Sequence, residues 1–214
     1  MELGGHSPVM IFKDADIEAA VKHCAAGKFR NAGQVCISPT RFFIEEPVYD
    51  EFIKSFKSHV EAINVGDGLD SKSTMGPLVA DRRLEVMEDF ISDAISSGGE
   101  VISGGGRGQS PGSFFEPTLI RDVPDTAKIM IEEPFGPVAP SASFSSIDEI
   151  IERANSLPFG LASYAFTSNP RTSQILKSEI ESGMLAINSM HIHSVETPFG
   201  GLKHSGYGYE GSIE

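Results

Sequence analysis

Two residues of this 214-residue chain could do chemistry together: Glu2 and Cys36, each inside a segment marked by glycine. Glu2 opens Glu2-Leu3-Gly4-Gly5-His6-Ser7-Pro8, and Cys36 closes Asn31-Ala32-Gly33-Gln34-Val35-Cys36. A thiol can hold a carbonyl carbon covalently, and a carboxylate can then free it with water; a two-step aldehyde oxidation needs that pair. A loop after glycine can expose a thiol and aim backbone N–H groups at it. Such groups lower a thiol pKa from about 8.5 and can hold an oxyanion. Local sequence fits plainer roles as well: a lone Cys is most often a small buried hydrophobe, and an isolated Glu a solvated residue. Cys24 falls on the apolar stripe of a helix and reads as core.

The elements that must position these residues follow from periodicity. Asp14–Phe29 reads as a helix, capped by Asp14 or Asp16, with Ile17, Ala20, Val21 and Cys24 on one face. Arg41–Glu45 is β-prone, and Pro47 starts a second helix with Phe52, Ile53 and Phe56 on one face. After a Gly- and Ser-rich loop over Asn64–Pro77, a third helix spans Asp81–Ser97 and stops at Gly98-Gly99. Short strands are expected at Val101-Ile102, Phe114–Ile120, Val138–Phe144, Leu161–Thr167 and Met184–Asn188, and helices at Ile147–Asn155 and Pro170–Glu181. Helices alternating with short apolar runs predict one α/β domain with a largely parallel, covered sheet.

The chain is 40% hydrophobic and 22% charged, an ordinary globular composition, with a net charge of −13. That acidity argues against nucleic acid and against an anionic membrane surface as partners. No apolar run approaches the roughly 20 residues of a spanning helix. The start lacks the basic and apolar regions of a signal peptide, and Cys24 and Cys36 are the only cysteines, so neither a disulfide framework nor a metal site is expected. The expected setting is cytoplasmic.

Two further segments can be set beside the first pair: Glu132-Glu133-Pro134-Phe135-Gly136-Pro137-Val138 and Pro198-Phe199-Gly200-Gly201-Leu202-Lys203-His204-Ser205-Gly206. All four segments, in this order, resemble the aldehyde dehydrogenase superfamily, from Glu2 to about Glu210. Within it the chain looks most like the NAD(P)-dependent succinate-semialdehyde dehydrogenases. The resemblance implies a three-layer αβα catalytic domain over 1–214 and oxidation of a small-molecule aldehyde with NAD or NADP. It implies Cys36 as nucleophile and Glu2 as the base that hydrolyses a thioester, since relatives that transfer to coenzyme A typically lack that base. Glu133 and Phe135 would hold the nicotinamide ribose and ring. Arg30 and Ser194 would bind the distal carboxylate of a semialdehyde, and Phe199 would wall the aldehyde end of the tunnel. The position after Gly4-Gly5, commonly Lys in the family, is His6, whose role stays open.

In the family a cofactor domain and an oxyanion-hole Asn precede the Glu motif, and a strand used in subunit association follows the last one. The resemblance therefore implies a catalytic domain cut from a longer, homo-oligomeric enzyme and unable to turn over alone. Gly206-x-Gly208-x-x-Gly211 fits the dinucleotide-binding pattern, but no strand precedes it, and it reads as a chance match. Two other classes stay open: a thiol esterase using Cys36 and Glu2 without cofactor, and a non-catalytic assembly piece.

Overall fold

The computed structural model describes residues 1–211. Its core is a seven-stranded sheet built from β1 (Ser7–Ile11), β2 (Pro39–Glu45), β3 (Glu100–Ser103), β4 (Thr118–Arg121), β5 (Val138–Phe144), β7 (Ala162–Phe166) and β8 (Met184–Ile187). The order across the sheet is β3-β4-β5-β2-β1-β7-β8. Every neighbouring pair is parallel except the β3–β4 hairpin at one edge. Helices α1 (Ile17–Phe29), α2 (Tyr49–Glu61), α3 (Arg82–Ser96), α4 (Lys128–Ile131), α5 (Ile147–Asn155) and α6 (Pro170–Glu179) make the crossovers that parallel strands require. A two-stranded ribbon, β6 (Phe159–Gly160) with β9 (Leu202–Lys203), lies apart from the main sheet. No helix among the described residues is long and apolar enough to cross a membrane.

The expected α/β class and its largely parallel sheet are what the chain adopts. β5 and α5 begin and end where periodicity put them, and α1 starts at the cap that Asp16 supplies by accepting the Ala19 N–H at 3.0 Å. The expected strand over Phe114–Ile120 is shorter, with regular pairing only from Thr118. β1 was not anticipated, although it is wholly buried and sits between β2 and β7. Its sequence, Ser7-Pro8-Val9-Met10-Ile11, carries a proline that cannot donate to a ladder and so argues against an inner strand. The register of β1 on β2 slips between Ser7 and Pro8, and this irregularity accommodates the missing donor.

Between α1 and β2 the backbone turns through Asn31 (φ 51°), Ala32 (φ 53°) and Gly33 (φ 72°), successive residues in the left-handed region. Two of them carry a side chain, a conformation that costs about 1–3 kcal/mol per residue unless its surroundings impose it. The surroundings do. Asn31 Nδ2 donates to the Gln34 carbonyl at 3.0 Å, and Gln34 Nε2 donates to the Asn31 carbonyl at 3.0 Å. Gln34 Oε1 also accepts the Val79 N–H at 2.8 Å, which pins the turn to the chain before α3. Gly33 packs so close to the segment before β5 that an added Cβ would lie 2.2 Å from the Gly136 carbonyl oxygen. Gly33→Ala is therefore expected to lower unfolding stability by at least about 2 kcal/mol in urea titration. A change within about 0.5 kcal/mol, typical of a neutral surface site, would contradict this packing.

Candidate active site

The segments singled out by sequence converge because of where they stand relative to the sheet. Glu2-Leu3-Gly4-Gly5 runs into β1, Val35-Cys36 runs into β2, and Glu133–Phe135 runs into β5. These strands are parallel neighbours in the order β5-β2-β1, so their amino ends lie side by side. Motifs distant in sequence thus share one edge of the sheet.

Glycines let the segments touch through their backbones. A Cβ on Gly5 would lie 3.0 Å from the Cys36 carbonyl oxygen, and one on Gly4 would lie 2.7 Å from Glu133 Oε2. Glu133 Oε1 accepts the Gly5 N–H at 3.1 Å. Glu2 is held from the other side. It bridges to Gly206, and the Leu3 N–H donates to the Ser205 carbonyl at 2.9 Å. A Cβ on Gly206 (φ 150°) would sit 2.4 Å from the Met1 carbonyl oxygen. The Gly206–Gly211 tail is thus a backbone clasp for the Glu2 segment and, through the pairing of Phe199 with Glu210, for its own loop.

Glu2 and Cys36 come together. The Glu2 carboxylate lies close enough to the half-buried Cys36 thiol to act on its proton. Burial first, then the Glu2 carboxylate beside it, push the thiol pKa up to about 12, against the pull of the Ile37 and Cys36 backbone N–H groups. The expected lowering of the thiol pKa is not what the chain shows: the net shift is upward. Cys24 is fully buried in α1 and its thiol pKa is raised by desolvation, so it belongs to the core.

Glu133 is half-buried on Gly5, while the Phe135 ring is exposed on a backbone at φ 44°. Arg83 holds this strained turn by donating to the Pro134 and Phe135 carbonyls. A carboxylate acceptor beside an open aromatic face fits the nicotinamide and ribose end of a dinucleotide. Among the described residues, no glycine-rich turn between a strand and a helix supplies a cradle for its pyrophosphate.

Arg30 is exposed at the end of α1 and lines a cavity of about 210 Å³ with Tyr164, Met190, His191 and His193. Val35 and Ile37, on either side of Cys36, line it too. Ser194 does not line this cavity. Its Oγ accepts the Glu196 N–H at 3.3 Å, and its N–H donates to Thr197 Oγ1 at 2.9 Å, so it shapes its own turn. Phe199 packs edge-on to His193, with ring centroids 6.1 Å apart.

The structure also supplies roles that sequence reasoning missed. His6 is buried and held neutral by desolvation and by the charges of Arg41 and Lys28; its Nδ1 pairs with Thr40 Oγ1 at 2.8 Å. Arg41 is a buried clip that donates to the carbonyls of His6, Arg153 and Ala154. Tyr164 donates to the Ile37 carbonyl at 2.6 Å and lines the cavity beside Arg30. Lys28 is wholly buried with no hydrogen-bond partner for its ammonium, and Glu133 is the countercharge acting on it. Position 28 continues the stripe of Val21 and Cys24, which could have marked it as an inward-facing lysine.

A sequence model of the aldehyde dehydrogenase family matches residues 1–214. The chain belongs to the aldehyde dehydrogenase family. Over 99% of its length it is 44% identical to a probable NADP(+) succinate-semialdehyde dehydrogenase of Sinorhizobium fredii, and covers 43% of that protein. Over the whole chain it is 42% identical to a putative 4-(hydroxymethyl)benzenesulfonate dehydrogenase of Comamonas testosteroni, covering 44% of it. The crystal structure of succinate-semialdehyde dehydrogenase from Burkholderia pseudomallei superposes with a TM-score of 0.97 at 40% identity, over 99% of this chain and 44% of that one. This aldehyde dehydrogenase chain thus spans less than half the length of these relatives.

Burial lowers the Lys28 pKa from 10.5 to about 7. A lysine whose folded pKa is depressed favours the fold most above its unfolded pKa and penalises it as pH falls toward the folded value. Stability should rise with pH between about 7 and 10.5. Lys28→Met should raise the melting temperature at pH 7 and lose that advantage near pH 10.5, in thermal melts across this range. A Lys28→Met variant destabilised equally at both pH values would contradict an unpaired buried amine.

Proposed function

We propose that this chain carries the catalytic part of an aldehyde dehydrogenase that oxidises a carboxylate-bearing aldehyde, a semialdehyde such as succinate semialdehyde, to its acid through a thioester on Cys36. The observation that carries this reading is the Glu2 carboxylate on the Cys36 thiol, at the edge where Glu133 and Phe135 also lie. The names of the relatives support the semialdehyde class, and the exposed Arg30 beside the cavity is a fixed cation for a distal carboxylate.

In the resting state Cys36 is a thiol with a raised pKa, so its activation needs a base. Glu2 takes the proton as Sγ adds to the aldehyde carbon. The new oxyanion is held by the backbone N–H groups of Cys36 and Ile37, the two that favour negative charge on the sulfur. A nicotinamide nucleotide, NAD or NADP, held by Glu133 and Phe135, supplies the hydride acceptor when bound. Glu2 gives that proton up to solvent, then as a carboxylate removes a proton from water; the oxygen adds to the acyl carbon, and the Cys36 thiolate departs and is reprotonated by Glu2. The rest of the cofactor surface, in this proposal, belongs to the part of the relatives' length that this chain does not span.

The acylation and hydrolysis steps can be tested on this chain without cofactor, using p-nitrophenyl acetate. The expected result is one acetyl group on Cys36, none in Cys36→Ser, and acyl release slowed about a hundredfold or more in Glu2→Gln. Acetyl transfer that survives Cys36→Ser, or release unchanged in Glu2→Gln, would refute the assignment.

A further inference from the structure

The steps proposed above leave Lys28 unused. It lies on the last turn of α1, wholly buried, and its ammonium has no hydrogen-bond partner. A close contact fixes where it stands. A Cβ on Gly33 would meet the Gly136 carbonyl oxygen at 2.2 Å and the Lys28 carbonyl oxygen at 3.3 Å, so the end of α1 and the turn that carries Glu133 press on the same glycine. α2 closes this end with an apolar surface, the Phe56 ring lying 6.3 Å from that of Phe29. The charged and titratable groups around Lys28 are Glu133 before β5 and His6 before β1, with Arg41 of β2 beyond His6, and Cys24 one turn back on α1. Burial keeps His6 and Cys24 uncharged. Glu133 is the negative charge that acts on the Lys28 ammonium.

Resting on the reading of Glu133 as the acceptor for the nicotinamide ribose, we propose that Lys28 is a positioning residue for that carboxylate: its buried ammonium, acting through space, keeps Glu133 ionised on the Gly5 N–H. An ionised carboxylate accepts from both hydroxyls of a ribose, whereas a protonated one must donate. Half-burial works against the ionised form, and the Gly5 N–H, then Lys28, then Arg83 of α3 oppose it. Arg83 is already committed to the Pro134 and Phe135 carbonyls, while Lys28 has no other polar contact. A bound nucleotide would bury Glu133 further, and a charge behind it counts for more as water leaves. Burial brings the Lys28 pKa to about 7, so that charge is full in mildly acidic solution and fades as pH rises through neutrality. The acceptor for the ribose is thereby linked to a proton on α1.

The test is a pair of NMR titrations on this chain. The Gly5 N–H donates to Glu133 at 3.1 Å, so the Gly5 amide resonance reports the Glu133 carboxyl as pH is varied. Lys28 is followed through the side-chain carbon next to Nζ. Met fills the space of the lysine stem without its charge, so Lys28→Met separates electrostatics from packing. The expected result is that Lys28→Met raises the Gly5 midpoint by at least about half a pH unit. Glu133→Gln, which leaves Lys28 in place, should abolish the Gly5 titration and lower the Lys28 midpoint by a similar amount, because the coupling is reciprocal. A Gly5 midpoint unchanged in Lys28→Met, or a Lys28 midpoint unchanged in Glu133→Gln, would overturn the proposal and leave Lys28 a packing residue. No nucleotide and no Cys36 chemistry enter these titrations, so their failure would remove the role of Lys28 and leave the cofactor reading of Glu133 standing.

Discussion

Three parallel strands ending in register at one edge are the constraint on which the rest depends. Because β5, β2 and β1 are neighbours and point the same way, the segments that enter them must emerge side by side. Each segment brings one chemical group: Glu133 before β5, Cys36 before β2, Glu2 before β1. In open α/β sheets ligands usually collect beyond the carboxyl ends of the strands. Here the candidate chemistry lies at the amino ends. The entering segments must approach through their backbones, and Gly4, Gly5, Gly33 and Gly206 are where that happens. These glycines are spacing elements of the candidate site, and at the left-handed turn Asn31–Gly33 the segment leading to Cys36 is wedged against Gly136.

The electrostatics follow from the same crowding. Partial burial and the Glu2 carboxylate keep Cys36 a thiol, against the pull of two backbone N–H groups. Behind this front, Lys28 and His6 are buried polar groups with unpartnered nitrogens, and burial holds His6 neutral. Glu133 is drawn onto Gly5 with Lys28 and Arg83 as its nearest countercharges.

Much of this was legible in sequence, for physical reasons that differ by element. α1 and α5 announce themselves through apolar spacing and caps, and β5 through an apolar run between proline and serine. β1 was hidden because Pro8 speaks against an inner strand, and only the register slip on β2 reconciles the two. The glycine-marked segments of Cys36 and Glu2 were legible, and the chain folds those two segments to the same edge of the sheet. Arg30 was legible too. The lining beside it was not: whether Ser194 or His193 faces the cavity depends on how Met190 seats on Gly27, a packing detail with no periodic signature. Lys28 could have been read from its place on the buried stripe, but lysine inside a core is rare enough that pattern alone discounts it.

The central claim is that the Glu2 carboxylate rests on the Cys36 thiol and controls its proton. The most direct measurement is the pH dependence of Cys36 alkylation by iodoacetamide, followed by mass spectrometry; the fully buried Cys24 stays out of the readout. The account predicts a rate that keeps rising toward a thiol pKa of about 12. In Glu2→Gln the loss of the negative charge should shift the whole profile to lower pH. A rate that levels off near pH 8.5 to 9 in both proteins, the behaviour of an unperturbed thiol, would contradict it.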